Sequence, residues 1–223
     1  MIKKHIPNFI TSCNLASGCI AITFVFKGEL QIAVYLMWLS MVFDFFDGMA
    51  ARLLKVSSPI GKELDSLADV VSFGVLPATI IYKLIESGEP LAFVAFLVAV
   101  FSALRLAKFN TDENQETDFI GLPTPANALF LSSLVFFKGN SDFSSFINDP
   151  VLIAITVIFS LLLVAPIRLF SLKLKNFSWS DNKIVIIFLI LSAGLIVTLG
   201  IIGLPFVILL YIALSLVKNA FKL

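Results

Sequence analysis

The chain has 223 residues, of which 59% are hydrophobic and 14% charged, with a mean hydropathy of +1.01 and a net charge of +1. Soluble domains are about half apolar and about a quarter charged; here too few charges remain to cover a water-exposed surface, so lipid is the expected solvent. The balanced charge selects no partner by itself, and no nucleic-acid partner is expected.

Taken in chain order, the opening MIKKHIPNFI has a basic start but no A-x-A-like cleavage site, so it is expected to stay in the mature chain. Pro7 suits the first turn of a helix, where its missing N–H is harmless. Cys13 and Cys19 match no redox or zinc spacing and read as packing residues. Apolar runs then predict an all-α, polytopic transmembrane bundle of about eight spans, at 8–26, 30–54, 64–86, 90–109, 122–138, 149–170, 183–200 and 203–220. Pro123 and Pro125 weaken the start of the fifth span, and only Gly200 to Gly203 separates the last two. The expected organisation is a single membrane-embedded domain over 1–223, with a six-helix catalytic core and an accessory C-terminal hairpin at 183–220.

Cytoplasmic loops are enriched in Lys and Arg. With the N-terminus inside, thirteen basic residues fall on the cytoplasmic side, and Lys27, Lys83 and Lys138 fall on the other. An even number of spans, with both termini cytoplasmic, fits this bias. It also places the acidic segment at 44–69 on the cytoplasmic side of a multi-pass cell-membrane protein.

That segment reads Asp44-Phe-Phe-Asp47-Gly48-Met-Ala-Ala51-Arg52, then eight residues, then Gly61-Lys-Glu-Leu-Asp65-Ser-Leu-Ala-Asp69. Ionisable groups in spans are expensive and mark functional paths. Asp44 and Asp47 are i,i+3, and Asp65 and Asp69 are i,i+4, so each pair shares a helix face. Ser57-Ser58-Pro59 and Gly61 supply a reversal that makes the two helices neighbours. Four converging carboxylates repel one another unless cations neutralise them, and oxygen ligands without His or Cys favour Mg²⁺ or Mn²⁺, with Ca²⁺ as a further candidate. Gly48 and Ala51 leave room beside Asp47, and the fork of Arg52 suits a phosphate. Two metals, an arginine and a cavity describe a nucleotide diphosphate site. The competing readings are ion pairs with Arg52, Lys55 and Lys62, or a cation pathway through a metal-ion transporter. A transporter calls for more acidic or polar residues deep in other spans, and spans six to eight carry almost none.

The pattern D-x2-D-G-x2-A-R-x8-G-x3-D-x3-D over 44–69 resembles the signature of the CDP-alcohol phosphatidyltransferase family at every defined position. The resemblance implies that Asp44, Asp47 and Asp65 bind two divalent ions, Mg²⁺ or Mn²⁺ with Ca²⁺ as a non-productive occupant. It implies that Asp69 completes the metal site and serves as general base. Gly48, Ala51, Arg52 and Gly61, with Asp44, would shape the CDP pocket. The run Pro7-Asn8, Thr11, Asn14 resembles the family's first helix, and Asn14 becomes a candidate hydrogen-bond partner of the nucleotide or a helix-to-helix contact. A homodimer among membrane lipids is the implied assembly.

Selection of the alcohol falls outside the signature. Arg105 and Lys108 close the fourth span, where they either snorkel to headgroups or hold the lipid phosphate or an acceptor carboxylate. Thr124, in Gly121-Leu-Pro123-Thr124-Pro125-Ala126-Asn127, opens the fifth span as a further candidate there. These segments, with Ser72-Phe-Gly74 and Pro77-Ala78, resemble the family's phosphatidylserine synthase branch, which implies CDP-diacylglycerol as donor and L-serine as acceptor. Two positions depart from that branch: Lys108 stands for Arg, keeping the charge but not the bidentate fork, and Asn127 stands for Ala. The rival acceptors, glycerol 3-phosphate and inositol phosphate, are more anionic and call for additional basic residues near the site.

Overall fold

In lipid, backbone N–H and C=O groups have only one another to bond, so long apolar runs fold as helices. The protein is described by a computed structural model covering residues 3, 5–111, 119–170 and 179–221. Helices α1 (His5–Phe26) and α2 (Leu30–Leu54) pack as a pair across a turn at Gly28, whose φ is +80°. Helix α3 (Pro59–Asp69) continues through a π-helical turn, Val70–Val75, into α4 (Leu76–Leu84). A 3-10 stretch, Leu91–Phe96, leads into α5 (Leu97–Thr111). Then come α6 (Thr124–Lys138), α7 (Asp149–Val164), α8 (Trp179–Leu199) and α9 (Gly203–Phe221).

Among the described residues, with α3 and α4 counted as one rod, eight helical rods stand where the sequence predicts eight spans, and the molecule is a polytopic membrane helix bundle. Among the described residues, His5–Phe26, Leu30–Leu54, Pro59–Leu84, Leu91–Thr111 and Asn182–Ala220 are long and apolar enough to cross a membrane. The last runs for 39 residues, about twice one span of ~20 residues, and turns at Gly200 (φ +58°) so that α8 and α9 pack together. Helices α6 and α7 are shorter, at 15 and 16 residues.

The sixth span is expected to reach residue 170, but α7 stops at Val164. Pro166 explains the difference: a residue before proline avoids the helical region, and Ala165 is extended at φ −64°, ψ 142°. The freed chain forms a two-residue strand, β2 (Arg168–Leu169), antiparallel to β1 (Phe119–Ile120) just before α6. This ladder is the local departure from an all-α fold. The third rod likewise begins at Pro59 rather than residue 64, because Ser58 caps it by accepting from Gly61 N at 3.0 Å while Pro59 occupies the first turn.

Small residues bring α1 against the π turn. A Cβ on Gly18 would lie 2.3 Å from Ser72 Oγ. Ser72 and Ser40 both donate to the Asn14 carbonyl, at 3.2 and 3.1 Å, which ties the π turn and α2 to the middle of α1. At the far end of the α3–α4 rod, Lys138 pairs with Glu86 at 2.8 Å and donates to the Leu84 carbonyl at 2.7 Å. There too the Asp149 carboxylate accepts from Glu86 N at 3.1 Å and from the Ser87 backbone and hydroxyl. The ends of α4 and α6 and the start of α7 therefore meet at one face. The start of α3 and the end of α5 meet at the other, where Lys62 Nζ donates to the Asn110 carbonyl at 2.9 Å and Asn110 Nδ2 to Ser66 Oγ at 2.9 Å.

Candidate active site

The carboxylates converge at this second face. Asp44, Asp47 and Asp65 each offer an oxygen, and these oxygens lie within 4.8 Å of one another. The helical spacing of the Asp44/Asp47 and Asp65/Asp69 pairs turns each toward the other helix, and the capped reversal at Lys55 to Ser58 closes the gap between them. Asp69, one turn deeper than Asp65, is buried and stands within electrostatic reach of Asp44, Asp65 and Asp47.

Helix α1 orients this cluster. Thr11 Oγ1 donates to Asp47 Oδ2 at 2.6 Å, and Asn14 Nδ2 donates to Asp69 Oδ1 at 3.4 Å. A cavity of about 220 Å³ opens beside the carboxylates, lined by Thr11, Asp47, Gly48, Ala51, Gly61 and Asp65, with Asn8 and Lys62 also on its wall. At Gly61 a Cβ would meet Asn8 Oδ1 at 2.9 Å and Ser58 Oγ at 3.0 Å, so a side chain there would press on the cavity wall.

The donor set fits a hard divalent cation. Asp65 Oδ1 is buried without a hydrogen-bond partner. Among the described residues the ion pair formed is Lys138–Glu86, and no Lys or Arg side chain there forms an ion pair with the four aspartates. The ion-pair reading with Arg52, Lys55 and Lys62 therefore has no contact behind it among these residues. All-carboxylate oxygen ligands suit Mg²⁺ or Mn²⁺ over softer metals.

Arg52 does not line the cavity. It is exposed, and its Nε turns back to the Gly48 carbonyl at 3.0 Å. Arg105 and Thr124 are brought together, Arg105 Nη1 donating to Thr124 Oγ1 at 3.2 Å, and Arg105 lies within electrostatic reach of Asp69. Lys108 is exposed and shares with Arg105 a smaller cavity of about 20 Å³, bounded by Ile120, Leu163 and Val164.

Sequence reading attached no role to Thr11, Asn8 or Tyr211, and gave Lys62 one only as an ion-pair partner of the aspartates. The spacing of Pro7, Asn8, Thr11 and Asn14 along one helix face was the available signal for the first two. Tyr211 had none: it sits on α9, donates to the Phe170 carbonyl at 2.9 Å and lies within electrostatic reach of Arg105.

In this membrane helix bundle the carboxylates, a donor set that suits a divalent cation, gather beside a cavity at one end of the helices. The family model for CDP-alcohol phosphatidyltransferase matches residues 4–165, and the chain belongs to that family of phosphotransferases. It is similar to the CDP-diacylglycerol--serine O-phosphatidyltransferase of Bacillus subtilis, 37% identical over 170 residues, covering 74% of this chain and 89% of that one. It is similar to the enzyme of the same name from Helicobacter pylori strain 26695, 30% identical over 190 residues, covering 83% of this chain and 79% of the other. A Methanocaldococcus jannaschii relative of that name is 41% identical over 126 residues, 56% of this chain and 58% of that one.

Proposed function

We propose that the chain transfers the phosphatidyl group of CDP-diacylglycerol to L-serine, forming phosphatidylserine and CMP. The observation that carries this reading is the convergence of Asp44, Asp47 and Asp65 to within 4.8 Å of one another, with Asp47 and Asp65 lining a cavity of about 220 Å³. The names of the relatives support serine as the acceptor.

Asp44, Asp47, Asp65 and Asp69 are the residues to hold two Mg²⁺ or Mn²⁺ ions, which when bound supply charge neutralisation and alignment of the donor's two phosphates. Thr11 and Asn14 fix the carboxylates from α1. Gly48, Ala51 and Gly61 keep the cavity open to the nucleotide, and with Nε held by Gly48 the terminal nitrogens of Arg52 remain to donate to phosphate. Asp69 takes the proton of the serine hydroxyl. The serine oxygen bonds to the phosphorus that carries diacylglycerol, and the bond from that phosphorus to CMP breaks, CMP leaving with the electron pair. Arg105, held by Thr124, meets the carboxylate of the incoming serine. The thirteen-to-three division of basic residues supports a site open to the cytoplasm, with both termini on that side of the cell membrane.

The test is CMP release and product analysis with purified protein, CDP-diacylglycerol, Mg²⁺ or Mn²⁺, and serine, glycerol 3-phosphate or inositol phosphate in competition. Phosphatidylserine is the expected product. Turnover of glycerol 3-phosphate without turnover of serine overturns the acceptor, and no CMP release with any alcohol overturns the reaction.

A further inference from the structure

No residue of α8 or α9 takes part in the transfer described above, yet the hairpin reaches the acceptor side of the site. After Val164 the chain leaves the helical conformation, so its carbonyls lose the helical N–H groups they would accept from. Within a membrane bundle such groups must find donors inside the protein. Two of them find donors on α9. Tyr211 Oη donates to the Phe170 carbonyl at 2.9 Å, in a buried contact, and Asn219 Nδ2 donates to the Arg168 carbonyl at 2.7 Å. Rings support the first bond: Phe170 meets Tyr211 edge-on with centroids 4.9 Å apart, and Phe188 of α8 stands 5.9 Å from Phe170 and 5.8 Å from Tyr211.

The segment held in this way is one strand of a strap that borders Arg105. Strand β2 pairs with β1, Ile120 opposite Arg168, and the ladder is continued by Gly121 N and Leu122 N, which donate to the Ile167 and Leu162 carbonyls at 2.9 Å each. The fit has no slack: a Cβ on Gly121, whose φ is +78°, would lie 2.3 Å from the Leu163 carbonyl oxygen. Ile120, with Leu163 and Val164 at the end of α7, bounds the small cavity that holds Arg105 and Lys108. From β1 the chain runs directly into Thr124, whose Oγ1 accepts from Arg105 Nη1 at 3.2 Å. Tyr211 itself lies within electrostatic reach of Arg105.

An arginine is a long side chain, and its fork serves a carboxylate only when its plane is held in place. Displacements of about 1 Å at a substrate-positioning group are enough to cost activity. We propose that Tyr211 is a positioning residue for the transfer: by holding the Phe170 carbonyl it fixes the β1–β2 strap, which sets Thr124 and, through it, the guanidinium of Arg105 that receives the acceptor. The C-terminal hairpin is then part of the acceptor site rather than an appendage that only completes the bundle. The inference rests on the acceptor role given to Arg105 above and adds what holds that residue in place.

The experiment compares wild type, Tyr211→Phe and Asn219→Leu as full-length purified protein, reading CMP release for kcat and for the KM of serine and of CDP-diacylglycerol, with melting temperature in detergent alongside. Tyr211→Phe keeps the ring contacts and removes the donor. The loss of one hydrogen bond corresponds to roughly a three- to ten-fold effect, and it should appear as a serine KM raised by that factor, with kcat and the KM for CDP-diacylglycerol unchanged. Asn219→Leu releases the same strap from its other anchor and should raise the same KM without touching the aromatic cluster. A lowered melting temperature with a wild-type serine KM makes the contact structural only and overturns the inference, as does an equal rise in the KM of both substrates. If Tyr211→Phe does not fold, the serine KM of Asn219→Leu decides on the same terms. Wild type that turns over glycerol 3-phosphate and not serine overturns the serine reading; a raised KM for that acceptor in the variants still upholds the positioning of Arg105, and an unchanged one removes it too.

Discussion

Thr11 on α1 donates to Asp47 Oδ2 on α2 at 2.6 Å, across 36 residues of sequence. Asp47 is one of the proposed metal ligands, and held in this way it has one oxygen oriented by protein and one left for a cation. Partners of metal ligands are typically worth about ten- to a hundred-fold in metal affinity. Thr11→Val keeps the shape and removes the donor. The expected outcome is an increase of roughly ten-fold in the Mn²⁺ concentration that half-restores CMP release after chelation. An unchanged metal titration would leave Thr11 a packing residue only.

The proposed mechanism gives Asp69 both proton transfer and metal binding, and a single substitution tests the first. General-base catalysis contributes about 10²–10⁴-fold. Asp69→Asn keeps the shape and can still accept from Asn14, so turnover should fall by at least about 10²-fold while CDP-diacylglycerol binding persists. Binding is read by thermal stabilisation of the purified protein with the donor lipid. Near-normal turnover in this variant would assign the proton to another group.

Gly18 sets how closely α1 approaches the π turn. An added Cβ would stand 2.3 Å from Ser72 Oγ and 3.1 Å from Ser72 Cα, so rotating the serine side chain cannot relieve the whole clash. Gly18→Ala should destabilise the protein by about 1–3 kcal/mol, the usual cost of overpacking. A lowered melting temperature in detergent is the readout, and Ser72→Ala in the same chain should recover part of the loss.

Lys138 is remote from the carboxylates, at the opposite face of the bundle. It pairs with Glu86 and also donates to the Leu84 carbonyl at the C-terminal end of α4. An exposed ion pair alone is worth about 0–1 kcal/mol, while a hydrogen bond from a charged donor adds about 1.5–3 kcal/mol. Lys138→Met should therefore lower stability by about 1–3 kcal/mol, with CMP release at a fixed temperature below unfolding unchanged. A loss of activity without loss of stability would tie this face to the reaction.

The elements that were legible are those whose information is local. The pairing of Asp44 with Asp47 and of Asp65 with Asp69 follows from helical period, and Ser58-Pro59 with Gly61 announces the cap that starts α3. The end of α7 was legible in principle too, since Pro166 forbids the helix that composition alone would extend to residue 170. Apolar character outweighed that one residue in the reading, and the β1–β2 ladder went unseen because two-residue strands carry no periodicity.

By itself the sequence determined the solvent, the helical rods and the acidic pattern, because hydropathy and the 3.6-residue repeat act within a single segment. The tertiary structure decided which groups face one another. It set Thr11 against Asp47 and Asn14 against Asp69, turned Arg52 back onto Gly48, and joined Arg105 to Thr124. It also brought Tyr211 from the C-terminal hairpin to the neighbourhood of Arg105 and left Asn127 buried with both amide atoms unmet. Each of these depends on the rotation and register of one helix against another. Those are fixed by contacts such as Gly18 against Ser72, made between residues far apart in the chain, and no pattern within one helix encodes them.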